Sequence, residues 1–299
     1  MTTFILFGPA DAAVDFRGYE PMLRSSAVAQ SVYREFAGAV DVPVDHLIEG
    51  EVPHLHPVLL RWIRQTAAMV GVGRILEHRH GAAFAYGGIS LGELAALRSS
   101  GAVSTEMVVN FLRERHLQDT DRDEAIGFAF VPAPVDWRYY EQPGRMTISC
   151  DFGPVLGGAG RMVMVSGLRS ALESARAEGP ADLQVVEPSL AHQAYHSPFR
   201  EPSRRRLESL LKEHPLSRPR TPVVTAIPGM YTLSSAAEAA QALVVSETHS
   251  LDVPGLVAAL RNFSPSKMYV ISSFLRQLEI DFHAATEYVD DSWLKQNFG

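Results

Sequence analysis

Ala82-Ala83-Phe84-Ala85-Tyr86-Gly87-Gly88-Ile89-Ser90-Leu91-Gly92-Glu93 joins an apolar, strand-like run to a Gly-x-Ser-x-Gly turn. Leu91, Leu94, Ala95 and Leu97 then continue at helical spacing. Strand, glycine-flanked serine and helix together make a nucleophile elbow. The turn is too tight for side chains on either flank, hence the glycines. Its serine is pushed out at the head of the helix. There the Leu91 N–H and the helix dipole can stabilise an oxyanion. The same residues also fit an ordinary Gly-Gly turn with a helix-capping serine.

Outward from this turn the chain alternates strands and helices. Phe4 to Phe7 reads as a short buried strand closed by Gly8-Pro9. Leu59, Ile63, Ala67 and Val70 predict a helix from Pro57 to about Leu76, and another follows Ser104. The character changes at the polar run Asp119 to Glu124. Strands are then expected at Ile126 to Val131, Met146 to Cys150 and Met162 to Val165, a helix at Arg169 to Glu178 and a strand at Leu183 to Val186. That content suggests a small α+β insert. Helices return at Pro202 to Glu213, Ala236 to Leu243 and Val253 to Leu260, with strands at Thr221 to Ala226 and Met268 to Ile271. The expected division is a large α/β domain over 1–122 and 193–299, interrupted by a smaller one over 123–192.

The bulk numbers limit the function. A chain of 299 residues with 46% hydrophobic and 20% charged residues has material for a full core. Its longest apolar runs are too short to span a bilayer, and no basic segment precedes Phe4 as in a signal peptide. The single cysteine, Cys150, excludes an internal disulfide, so a cytoplasmic location is expected. A net charge of -7 argues against nucleic acid or a membrane surface as partner.

A serine nucleophile needs a base, and the chain holds 11 histidines. His54, His56, His78 and His80 form two His-x-His pairs without a third ligand of matching spacing, so no metal is expected. His196, in Ala194-Tyr195-His196-Ser197-Pro198, lies where the insert returns to the large domain. It can face an interdomain cleft as a general base, or sit on a surface loop.

These two motifs resemble those of the malonyl-CoA:acyl-carrier-protein transacylase family and of polyketide synthase acyltransferase domains. The family's Gly-His-Ser-Leu-Gly-Glu is matched by Gly88-Ile89-Ser90-Leu91-Gly92-Glu93, and its Phe-His-Ser-Pro by Tyr195-His196-Ser197-Pro198, in the same order. The resemblance implies an α/β-hydrolase-like large domain with an inserted ferredoxin-like small domain. It also implies ping-pong transfer through an acyl-serine, with Ser90 as nucleophile and His196 as base. In the family the histidine is oriented by backbone carbonyls. The family arginine that grips a malonyl carboxylate falls on Arg115 when counted forward from Ser90; a solvated helix-surface arginine is the other reading. Leu91 and Ala10 are expected to supply the oxyanion N–H groups, and Ile89, His56, Tyr195 and Phe128 to contact substrate. No bound cofactor is implied, because phosphopantetheine arrives on the acyl-CoA or acyl-carrier-protein donor and on the acceptor carrier protein.

Three departures from the family stand out. Its Pro-Gly-Gln-Gly loop is replaced by Gly8-Pro9-Ala10-Asp11, the histidine before the nucleophile is Ile89, and the C-terminal Gly-Pro-Gly loop is Val270-Ile271-Ser272-Ser273. These changes make the acyl pocket more apolar and point to a specialised enzyme, in polyketide or related secondary metabolism. The cargo is expected to be malonyl-like or a specialised acyl or aminoacyl unit. A hydrolase that clears carrier proteins would use the same pair, and a degenerate carrier-protein binder would use neither. Arg200, Arg204 and Arg205 are expected to form a basic rim for an acidic carrier protein, unless they belong to a plain solvated helix face.

Overall fold

The computed structural model describes residues 2–11, 19–117 and 123–298. The polar run read as the join between domains therefore lies outside the described residues up to 122.

Two sheets organise the chain. The first holds β1 (Thr3–Phe7), β2 (Ala85–Gly88), β7 (Val223–Thr225), β8 (Thr232–Leu233), β10 (Lys267–Ile271) and β11 (Thr286–Tyr288). The second holds β3 (Glu124–Pro132), β4 (Met146–Val155), β5 (Gly160–Leu168), β6 (Asp182–Val185) and β9 (Leu251–Asp252). In the first the order is β11-β10-β1-β2-β7-β8, parallel except for the β7–β8 pair. All five residues of β1 are buried, the unbroken apolar pattern of a parallel strand covered on both faces.

The helices are α1 (Glu20–Ser25), α2 (Ala27–Ala39), α3 (Val44–Glu49), α4 (Pro57–His80), α5 (Leu91–Ser99), α6 (Thr105–His116), α7 (Arg169–Glu178), α8 (Glu201–Glu213), α9 (Ala236–Thr248), α10 (Val253–Leu260), α11 (Ser273–Leu278) and α12 (Asp291–Phe298). α4 and α5 pack on β1, and α10 packs on β7. From β1 the chain steps one way through β2 and β7, then crosses to β10 and β11 on the other side. Such a reversal opens a crevice beyond the carboxyl ends of the strands. Gly8-Pro9-Ala10 and Ile89-Ser90-Leu91 lie at that end.

The second sheet, ordered β6-β3-β5-β4-β9, is antiparallel apart from the β4–β9 pair. Its strand and helix sequence is that of a ferredoxin-like unit, with the first helix reduced to a 3₁₀ turn at Trp137–Tyr140. The fifth strand, β9, comes from the final segment of the chain. Strand alternation divides its faces. Ala125, Ala129, Val131, Val163 and Val165 form a small core with Leu172 and Ala175 of α7. Ile126, Cys150, Phe152 and Met164 join the large core instead. Among the described residues no helix is long and apolar enough to cross a membrane.

Candidate active site

The elbow forms because two glycines permit close backbone approach. A Cβ on Gly92 would collide with the Phe7 and Gly8 carbonyl oxygens, and one on Gly88 with the backbone of Gly92 and Glu93. β1, β2 and α5 can meet only if both positions lack a side chain. The strained conformation falls on Ser90, with φ 56° and ψ -115°. Its side chain makes no capping hydrogen bond to α5, so the helix-capping reading fails. A non-glycine residue in this region costs on the order of 1–3 kcal/mol and tends to mark a functional position.

The Ser90 hydroxyl instead donates to His196 Nε2, at 2.7 Å. His196 is 1% exposed and also has positive φ, 55°, which removes the surface-loop reading. Its Nδ1 hydrogen bonds to the Ser246 carbonyl in the last turn of α9, where helix carbonyls lack intrahelical partners. A carbonyl only accepts, so Nδ1 carries the proton and Nε2 presents its lone pair to Ser90. Neighbouring bonds fix the segment: Ser166 Oγ donates to the Tyr195 carbonyl at 2.7 Å, and the Ser197 N–H donates to the Glu247 carbonyl at 3.1 Å.

Behind this pair lies a buried charge network that the sequence did not disclose. Arg115 Nε pairs with Glu247 at 2.8 Å, and Arg200 Nε reaches the same carboxylate at 3.6 Å. Ser203 Oγ donates to it at 2.9 Å. Arg115 Nη2 stands 3.2 Å from His196 Nε2, sharing that lone pair with Ser90. Burial first, then the Arg115 charge, pushes His196 down to about 3, against the opposing Ser246 hydrogen bond. The imidazole is therefore neutral, as a base must be. Glu93 is 2% exposed, and burial pushes its carboxyl up to about 8.

That shift has a consequence for stability. Glu93 stays uncharged in the folded protein to higher pH than in the unfolded chain, where its ordinary value is 4.5. The stability it confers is full below 4.5 and is lost as pH rises through about 8. In thermal melts, the advantage of the wild type over Glu93→Gln should shrink steadily across that window. A pH-independent difference would contradict this assignment.

A cavity of about 610 Å³ opens between the two sheets in front of Ser90. Of the residues expected at the site, Ala10, Ile89, Leu91, Arg115, Phe128 and Tyr195 all line it. Arg115 is 6% exposed and so is not a solvated surface residue. Leu91 begins α5, where N–H groups have no partner within the helix. In the neighbouring loop the Gly8 N–H donates to the Ile271 carbonyl at 3.1 Å and Pro9 has none. Ala10 is thus the next N–H in line.

Two expectations need correction. His56 is exposed and does not line the cavity; its Nδ1 accepts from the Val58 N–H and so caps α4. Its ring packs against His116 and His192, with centroids 4.5 and 5.6 Å away. The two His-x-His pairs sit at opposite ends of the 24-residue α4, roughly 36 Å apart, and cannot converge. The basic rim also fails. Arg200 is 3% exposed and donates to the Arg115 carbonyl at 2.6 Å, so it is part of the interior. Arg204 pairs with Glu201 and Glu208, and Arg205 with Glu201, which neutralises the outward charge.

No family model matches the sequence, and no curated protein matches it. Solved structures do. A malonyl-transacylase in complex with a type II polyketide synthase acyl-carrier protein superimposes with a TM-score of 0.82 at 16% identity, covering 100% of this chain and 99% of that one. The malonyl-CoA:acyl carrier protein transacylase of Helicobacter pylori gives 0.80 at 18% identity, covering 100% and 97%. The acyltransferase domain from the second module of the salinomycin polyketide synthase gives 0.73 at 18%, covering 93% of this chain and 65% of that one. The resemblance carried by the two motifs therefore holds at the level of fold: this chain has the two-domain architecture of the malonyl-CoA:acyl-carrier-protein transacylases over its whole length.

Proposed function

We propose that the protein is an acyltransferase that moves an acyl group from a coenzyme A or carrier-protein thioester to an acyl carrier protein through an acyl-Ser90 intermediate, in polyketide or related secondary metabolism. The observation that carries this reading is the 2.7 Å Ser90–His196 pair, whose serine lines the cavity. Ser90 Oγ attacks the thioester carbonyl carbon while His196 Nε2 takes its proton. The Leu91 and Ala10 N–H groups stabilise the oxyanion. As the C–S bond breaks, His196 returns the proton to the departing sulfur, leaving an ester on Ser90. The acceptor's pantetheine thiol then repeats the steps in reverse. His196 works here without an acidic side chain, since the Ser246 carbonyl orients it.

Water attacking the same ester would make the protein a hydrolase. Isolated acyl-enzyme should be incubated with and without holo carrier protein. Transfer predicts that acyl carrier protein accumulates and that little free acid forms without acceptor. Equal release of free acid in both samples would contradict transfer.

A further inference from the structure

The cleft-facing side of the second sheet is apolar over β3, β4 and β5, with Gln184 of β6 at its edge. On β3, alternate residues Ile126, Phe128 and Phe130 face the cavity. Phe152 of β4 and Met162 and Met164 of β5 face it on neighbouring strands. Phe274 of α11 packs directly on this wall and extends it, its ring centroid 5.4 Å from Phe128 and 5.2 Å from Phe152. These side chains offer no hydrogen-bond donor or acceptor of strength. The thioester's pantetheine arm shares the cavity, where Gln65, Gln184 and Gln277 offer its amides partners. An aliphatic acyl group laid on the apolar wall gains contacts there, whereas a malonyl carboxylate would lose its water against it.

Arg115 is already engaged: Glu247 holds its Nε at 2.8 Å, and its Nη2 stands 3.2 Å from His196 Nε2. The apolar contacts ask only for hydrocarbon.

Building on the acyl-Ser90 reading, we infer that the acyl group this protein carries is an uncharged aliphatic chain of medium length, such as octanoyl, bedded on the wall formed by the Ile126–Phe128 face of β3, the methionines of β5 and Phe274. Chain length is then what the site selects. Each methylene added within the cavity contributes about 0.8 kcal/mol, which corresponds to about a fourfold gain in acylation rate constant per methylene.

The test measures acyl-Ser90 formation on the intact protein by mass, using acetyl, butyryl, hexanoyl, octanoyl and malonyl thioesters of coenzyme A. The expected result is a rise of about fourfold per methylene from acetyl to octanoyl, with malonyl slower than butyryl. Met164→Trp, which fills the cavity, should move the optimum to a shorter chain; if that variant fails to fold, the wild-type profile decides alone. A flat or falling profile, or malonyl as the fastest donor, overturns the inference and leaves the acyl-Ser90 reading standing. Absence of an adduct with every thioester removes both.

Discussion

Ser90→Ala will lower acyl transfer by a factor on the order of 10⁴ or more, the scale seen when a catalytic nucleophile is removed, and will not lower stability. The Ser90 hydroxyl donates to His196 Nε2 and makes no capping bond to α5. Its deletion therefore removes chemistry without removing a cap. Ser90→Gly should be as inactive and more stable than wild type by about 1 kcal/mol, because glycine accepts φ 56° without steric penalty. The pair of variants separates the strain stored at the turn from the reaction it serves. Denaturant titration and a transfer assay together read both effects. A stabilised, active Ser90→Gly would be incompatible with the mechanism.

The second large effect is on stability. Glu247→Ala leaves Arg115 and Arg200, 6% and 3% exposed, without their shared carboxylate. Removing one partner of a buried ion pair costs about 3–5 kcal/mol, and this network loses the Ser203 hydrogen bond as well. The double variant Glu247→Ala/Arg115→Met should recover part of the loss, since it removes one stranded cation. Urea unfolding of the single and double variants gives the comparison. A cost below about 1 kcal/mol for Glu247→Ala would mean that the network contributes no more than a surface pair.

The fold was legible where periodicity was long. α7 and α10 have the expected limits, and α4 runs only four residues past Leu76. β2 sits further along than its apolar run suggested, at Ala85–Gly88, because Gly87 and Gly88 pair with Leu6 and Phe7 of β1. β8, β9, α1 and α11, of two to six residues each, were missed as too short for a pattern to register; the 13-residue α2 was missed as well. α9 was ended at Leu243, five residues early. That shortening hid Ser246 and Glu247, the two residues that orient His196 and hold Arg115.

Within the site, Ser90 and His196 were legible because each sits in a local motif with a physical signature. Glu247 carries none. The one available signal was a charged residue two positions after the apolar run Leu243-Val244-Val245, which demands a partner if that stretch is buried. The proposed role of Arg200 failed for the same reason: exposure was read from local sequence, while burial was set by a carboxylate far along the chain. His56 was assigned to substrate through the resemblance, and the structure uses it as a cap.

The most direct measurement is peptide mapping of the acylated protein after brief exposure to an acyl thioester. An acyl-Ser90 mechanism predicts one acyl group per chain, on the peptide containing Ser90, and none on the Ser90→Ala protein. An adduct of equal yield on Ser90→Ala, or one mapped to another residue, would contradict it.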